Sequence, residues 1–225
     1  CGASLAGTDL SRCDLGGANF SAAHGAAASF AGSRLVDMLI FEADLPDAIL
    51  ERAEIRDVQF IRSGLTRARL TAARIEGLML LQSEASGSDW SGAEVQRSQI
   101  VETPLKDAMF TKCRLFETAF LRIQGDGCQF AGATLQRVAF TGDIELRAAD
   151  FREVSADGLS FVKANLGGSA FSSGTFSGLC FVDTELERCR FRTSAMKRAL
   201  FSRNSLAHSD FFAADLLEAQ FNRAD

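Results

Sequence analysis

Residues 43–67 read ADLPD AILER AEIRD VQFIR SGLTR when they are divided into groups of five. The third residue of every group is large and apolar, and the residue two positions before it is small in most groups. Side chains two residues apart in an extended segment point to the same side. Each group therefore sends one small and one large side chain inward. A helix of 3.6 residues per turn would scatter these positions around its circumference, so the spacing predicts short extended segments separated by corners.

The same period covers essentially the whole chain, which is the signature of a repeat architecture. Large apolar residues recur at every fifth position from Leu5 to Phe140, apart from weak positions such as Gly25 and Gly125. One extra residue within 141–146 shifts the frame, and the period then continues to Phe221. We expect residues 1–225 to form a single repeat domain. Because the chain starts without Met and stops within the pattern, we also expect it to be a fragment of a longer polypeptide.

The groups GANF, EADL, KANL, HSDF and AADL resemble the A(D/N)Lxx unit of the pentapeptide-repeat protein family. The resemblance implies an all-β fold, a right-handed quadrilateral β-helix with four repeats in each square coil. A solenoid of this length would have about eleven coils, and residues twenty apart would stack on one another. Two opposite faces would then carry inward columns of Phe. The chain has 19 Phe and no Tyr, as expected for an interior that offers a hydroxyl group no partner.

The composition excludes several classes of function. The net charge of -5 does not favour direct binding to nucleic acid. No apolar run reaches the length of about 18 residues that a membrane helix needs, and the first residues lack the blocks of a signal peptide. We therefore expect a soluble protein that binds neither membrane nor nucleic acid. The family resemblance and the absence of disulfide spacing favour a bacterial, cytoplasmic location.

Residues that could carry chemistry are few. The two histidines, His24 and His208, should point outward and lie far apart along the rod. No nucleophile, phosphate-loop or dinucleotide motif occurs, so we expect no enzyme, no catalytic residue and no cofactor. Four cysteines occupy the small inward position and no CxxC pair occurs, so neither a disulfide nor a metal site is expected: Cys13, Cys113, Cys128 and Cys189.

One outward face carries a stripe of apolar residues where the other faces have mostly polar ones. We name it the apolar stripe and predict it as a protein interface, consisting of Leu39, Phe41, Ile61, Met79, Leu81, Val101, Leu121, Val162 and Val182. Monomers seldom expose a contiguous apolar patch larger than a few hundred Å². A protein partner, a second copy of the chain or a flanking domain could each cover the stripe.

These features favour a non-catalytic rigid scaffold for protein–protein interaction within a larger bacterial protein. The composition also resembles the pentapeptide tails of type VI secretion-associated proteins. The alternative is a DNA gyrase-binding protein of the quinolone-resistance type, whose relatives in the family mimic B-DNA through acidic surface columns. Here outward columns such as Asp14, Arg34, Glu54 and Arg74 alternate in sign, which predicts ladders of ion pairs along the rod.

Overall fold

The computed structural model describes residues 2–225, so Cys1 lies outside the described residues. The chain is an all-β parallel solenoid, and no helix occurs among residues 2–225 that could cross a membrane. The elements are β1 (Arg34–Phe41), β2 (Glu54–Ile61), β3 (Arg74–Glu76), β4 (Met79–Leu81), β5 (Glu94–Gln96), β6 (Gln99–Val101), β7 (Arg114–Phe116), β8 (Ala119–Leu121), β9 (Thr134–Gln136), β10 (Ala139–Glu145), β11 (Ser155–Asp157), β12 (Ser160–Asn165), β13 (Thr175–Ser177), β14 (Cys180–Val182), β15 (Leu200–Ser202) and β16 (Gln220–Asn222).

The strands stack in two ladders with a register of twenty residues. Phe60 pairs with Leu80, and Leu80 pairs with Ile100, always in parallel. One ladder runs through β1, β2, β4, β6, β8, β10, β12, β14, β15 and β16, and the other runs from β2 through β3, β5, β7, β9, β11 and β13. The two remaining sides of the coil are held by single bridges, such as Asp44 with Gly64. The parallel β-solenoid that the family resemblance implied is therefore confirmed.

The number of turns is somewhat lower than the eleven expected. The strand-bearing part, from Arg34 to Asn222, makes about nine turns. Residues 2–33 wind with the same period, but they contribute isolated bridges such as Ser4 with His24 instead of strands. The two numbers differ because the expected eleven turns were counted over the whole repeat, whereas the nine turns are counted over the part that forms strands.

The period is interrupted once, within β10. The register between β10 and β12 shifts between Thr141 and Ile144, and both intervening residues have positive φ, 80° at Gly142 and 54° at Asp143. A residue added to one strand bends the chain without ending the ladder. After the shift Ile144 points inward and is buried, so the core continues without a gap.

The corners of the coil place one residue of most groups in the left-handed region. This residue lies two positions after the central apolar residue, as Arg67 does with a φ of 55°. It turns the backbone from one side of the square to the next. A left-handed conformation costs an ordinary residue about 1–2 kcal/mol, and Gly occupies the corner at several positions, including Gly87 with a φ of 66°. We call these positions corner residues.

The core consists of aromatic stacks that run along the rod. Phe130 stacks on Phe110 at 4.9 Å between ring centroids and on Phe151 at 4.8 Å, with interplanar angles of 6° and 3°. On the opposite face Phe120 stacks on Phe140 at 4.5 Å. The two columns meet edge to face, as between Phe130 and Phe140 at 5.8 Å and 87°. The predicted inward columns of Phe are confirmed, and both geometries are favourable for aromatic pairs.

Gly125 shows how the core fills a position that lacks a large residue. A Cβ atom at this position would lie 3.0 Å from Cδ2 of Leu146 and 3.4 Å from Cδ1 of Ile123. The larger residue two positions earlier, Ile123, is fully buried and occupies this space. In this group the large residue lies at the first inward position and the small residue at the second, and the interior stays close-packed.

Candidate functional site

The described residues offer no constellation for catalysis. His24 and His208 are both exposed and lie near opposite ends of the rod. Among residues 2–225, no group of three or more His, Cys, Asp or Glu side chains lies close enough together to hold a metal ion. The interior of the rod is filled by buried side chains, so a partner would meet its outer surface.

The cysteines differ in one respect from the prediction. Cys113, Cys128 and Cys189 are buried, and desolvation raises the pKa of each thiol to about 12. Cys13 was expected inside as well, but it is exposed. It belongs to the first coil, and among the described residues no coil packs against its N-terminal side. Cys180 lies half-buried on the outer surface, and burial raises its pKa.

The apolar stripe forms a continuous column on the longer ladder. Neighbouring residues of the column pair directly and are twenty positions apart, except at the register shift, where Thr141 pairs with Val162. In order along the rod it contains Phe41, Ile61, Leu81, Val101, Leu121, Thr141, Val162 and Val182. The structure thus brings together seven of the nine residues that the sequence analysis selected.

The other two selected residues, Leu39 and Met79, lie in a parallel column two residues away along each strand. Their neighbours in this column are Gln59 and Gln99, so apolar and amide side chains alternate in the first coils. Further along, the column continues with residues that the sequence analysis did not select: Ala119, Ala139, Ser160, Cys180 and Leu200. Counting on from Leu39 in steps of twenty residues, with one more at the register shift, would have identified these residues in the sequence.

Together the two columns contain no charged residue within the ladder. The first runs from Phe41 to Asn222 and the second from Leu39 to Gln220, through ten strands. We call this surface the uncharged face. Leu39 is 56% exposed and the rest of the apolar stripe is half-buried. Outward side chains on neighbouring strands contact one another, and each covers part of the next.

Charged residues begin at the corners that border the uncharged face. Arg62 pairs with Glu42 at 2.8 Å, and its guanidinium carbon lies 4.3 Å from the centroid of the Phe41 ring. Hydrogen bonds from Gln82 and Arg122 lower the pKa of Glu102 on the same border. Further along, Arg203 forms two hydrogen bonds with Asp183 and lowers the pKa of that carboxyl group. The border is therefore a row of paired charges.

The other faces carry charge in alternation. Arg34 pairs with Asp14 at 3.1 Å, and Arg114 pairs with Glu94 at 3.1 Å, as the ladder prediction required. Arg74 stands between Glu54 and Glu94 in the same column, yet no ion pair of Arg74 occurs within residues 2–225, and Glu54 pairs with Arg56 instead. The predicted ladder is thus complete only in part. These columns hold no unbroken row of acidic groups.

A family model described as pentapeptide repeats (8 copies) matches residues 3–37. The structure repeats the same four-group coil through the described chain, with a register of twenty residues apart from the single shift. The match confirms pentapeptide repeats in residues 3–37, and the coil of this segment continues through the rest of the described chain. No curated protein sequence matches it significantly.

Several solved structures are similar to this chain. HetL, a pentapeptide repeat protein involved in heterocyst differentiation regulation in the cyanobacterium Nostoc, is 21% identical over 97% of this chain and 87% of its own, with a TM-score of 0.41. A pentapeptide repeat protein from the thylakoid lumen of Arabidopsis thaliana is 32% identical, but the match covers 42% of this chain and 66% of the other, with a TM-score of 0.41. QnrB1, a plasmid-mediated fluoroquinolone resistance protein, is 14% identical over 95% of this chain and 92% of its own, with a TM-score of 0.34.

Proposed function

We propose that this pentapeptide-repeat protein is a non-catalytic scaffold that binds protein through its uncharged face. The observation that carries the proposal is the absence of charge from two adjacent columns across ten strands of one ladder. Every other face of the solenoid carries charged residues at the corresponding outward positions. Loss of charge on one side only is typical of a surface that becomes covered.

The rigidity of the rod supports this function. Residues on the uncharged face alternate with buried core residues, so Leu81 lies beside Leu80, whose side chain has no exposed surface. The strand backbone is held on both sides by parallel pairing, for example of Leu81 with Ile61 and Val101. A partner would meet side chains that are already ordered, which reduces the entropic cost of binding.

The gyrase-binding alternative requires a surface that imitates the charge of a duplex. B-DNA carries one negative charge per about 1.7 Å of its axis, whereas acidic residues here are interrupted by Arg partners such as Arg34, Arg67 and Arg114. We therefore favour the scaffold. A supercoiling assay with and without a quinolone tests the alternative directly, and we expect no effect of the protein at micromolar concentration. A role in type VI secretion and a cytoplasmic bacterial location stay predictions.

The test of the scaffold is a double substitution on the uncharged face, Phe41→Asp with Leu81→Asp. The matched control is Ala31→Asp with Thr71→Asp, since these residues occupy the equivalent outward position of the same coils on the opposite side. Far-UV circular dichroism and thermal unfolding establish that both variants keep the fold. We expect association, with another protein or with a second copy, to fall at least tenfold in the first variant and to stay unchanged in the control. If both variants associate as the unmodified protein does, the face is not an interface.

A further inference from the structure

We propose that the occupant of the uncharged face is a second copy of this chain, packed side by side with both rods pointing in the same direction. The inference rests on the proposed function, because it names the partner of the same face. A two-fold axis parallel to the rods would place each coil opposite the same coil of the partner. Such an interface is isologous: the same patch of both copies forms it.

The first argument is the shape and size of the face. Nine pairings join its ten strands, and a strand spacing of about 4.8 Å makes the face about 43 Å long and, at three residues, about 10 Å wide. Two copies would bury about 900 Å² without the corners and about 1,000 Å² with them, the lower limit for a specific interface. A second copy has a face of the same length, so the two faces can overlap over all ten strands.

The second argument is self-complementarity at the centre. A partner with charges over these columns would have to leave them unpaired, at a large desolvation cost. An identical uncharged face brings no such charge. Apolar side chains from both copies, including Leu81, Val101 and Leu121, would pack against one another as two sheets do, about 10 Å apart.

The third argument is the charge at the two borders. In the same-direction arrangement, the corner residue at one border of the face in one copy faces the corner residue at the other border, five positions later in the sequence, in the other copy. Four such positions combine opposite charges, namely Asp57 with Arg62, Arg97 with Glu102, Glu117 with Arg122, and Glu218 with Arg223. Two combine like charges, Asp37 with Glu42 and Arg198 with Arg203. Two of the opposite-charge pairs, Arg97 with Glu102 and Glu117 with Arg122, lie in the two coils at the middle of the apolar stripe.

An antiparallel arrangement with full overlap of the ten strands would misplace the apolar residues. The first strand of one copy would face the last strand of the other, so Phe41 would lie opposite Asn222 and Ile61 opposite Ser202. Polar groups in such contacts lose water without gaining a hydrogen-bonding partner. In the same-direction arrangement, each apolar strand meets an identical strand, and the polar end meets the polar end.

An antiparallel arrangement centred on the apolar stripe would restore the apolar contacts but place like charges at its ends. Strands β1 and β14 would face each other there, so Glu42 would meet Asp183. In the adjacent pair of strands, Arg62 would meet Lys163. Like charges placed opposite each other oppose association and suppress the wrong arrangement. At its centre this arrangement would still place Glu102 opposite Arg122 and Arg97 opposite Glu117, so it combines two pairs of opposite charges with two pairs of like charges. The same-direction arrangement combines four with two, and it is favoured for that reason.

The first experiment measures self-association by sedimentation velocity over a concentration series on the order of 1 to 300 µM, a range suited to a small interface. We expect the unmodified protein to dimerise, and Val101→Glu with Leu121→Glu to be monomeric throughout. The control is Ser91→Glu with Thr111→Glu, at the same outward position of the same two coils on the opposite side, and it should dimerise normally. A monomeric unmodified protein overturns the inference. If Phe41→Asp with Leu81→Asp then still weakens binding to another protein, the proposed function stands without it.

The second experiment tests the direction through charge reversal. Arg97→Glu and Glu102→Arg should each weaken the dimer about tenfold, because each places like charges at two border positions. Mixing the two variants in equal amounts should restore the dimer. In the mixed dimer, the two substituted side chains have opposite charges and face each other at one border position, while the original residues face each other at the second.

A folding defect would not explain such a recovery, because each chain is unchanged by mixing. If the mixture associates no better than its components, the copies do not pack in the same direction and the proposal is wrong. Glu117→Arg and Arg122→Glu form a second pair for the same test in the next coil.

Discussion

Replacing Phe130 by Leu tests how much the aromatic stacks stabilise the rod. Phe130 lies at the centre of a column, stacked on Phe110 and Phe151 on its two sides and fully buried. Leu already occupies the equivalent position in earlier coils, for example Leu70, which is buried to a similar degree. The substitution is therefore compatible with the backbone, and its cost reports on packing and stacking.

The magnitude follows from the contacts. An aromatic pair contributes about 0.5–1.5 kcal/mol beyond the burial of its surface, so losing two stacked pairs costs about 1–3 kcal/mol. The smaller side chain leaves part of the ring volume empty and adds about 1 kcal/mol. We expect Phe130→Leu to lower the free energy of unfolding by about 2–4 kcal/mol.

Equilibrium unfolding in guanidinium chloride measures this change, and hydrogen exchange of the amides in neighbouring coils locates it. The comparison variant is Phe221→Leu, because Phe221 is 45% exposed and has one stacked neighbour, Phe201. We expect it to cost less than about 1 kcal/mol. Equal costs at the two positions would refute the reasoning that stacking on both sides of an interior ring stabilises the solenoid. In a repeat protein the effect should also be strongest in the adjacent coils.

Three further predictions concern the corners, the thiols and pH. Ala72 is an exposed corner residue with a φ of 56°, so Ala72→Gly should raise the free energy of unfolding by about 0.5–1 kcal/mol. The control Ala73→Gly changes the fully buried neighbouring position and should lower the free energy of unfolding by about 1–2 kcal/mol. Denaturant unfolding measures both variants, and a lower free energy of unfolding for Ala72→Gly would contradict the strain argument. Iodoacetamide at pH 8 should label Cys13 in the folded protein and the three buried cysteines only after unfolding, as read by peptide mass spectrometry; rapid labelling of all four would contradict the packing. Burial would raise the pKa of Asp150, but hydrogen bonds from Arg152 lower it below its usual value. The stabilisation from this carboxylate is therefore present above the unfolded pKa of about 3.9 and is lost as the pH falls through the lower folded pKa. Asp150→Asn should make the free energy of unfolding less dependent on pH below about 4. If the pH dependence of the variant equals that of the unmodified protein, Asp150 does not contribute to acid unfolding.

The period of five determined most of the fold without any structure. It gave the inward and outward side of every group, since alternation along an extended segment assigns each side chain to one face. The twenty-residue coil then predicted that Phe130 stacks on Phe110 and that Phe41 lies beside Ile61, and both contacts occur. The apolar stripe could be read from the sequence for the same reason.

The tertiary structure decided what the period alone leaves open. The sequence does not state which charges pair, because a long side chain can reach along its column or across to a neighbour, and Glu54 pairs with Arg56 instead of Arg74. The sequence also does not state whether an inward residue is covered by neighbouring coils. The exposure of Cys13 could therefore not be predicted, because its position in the group is an inward one. Burial depends on the coils above and below a residue, and these contacts exist only once the chain is wound.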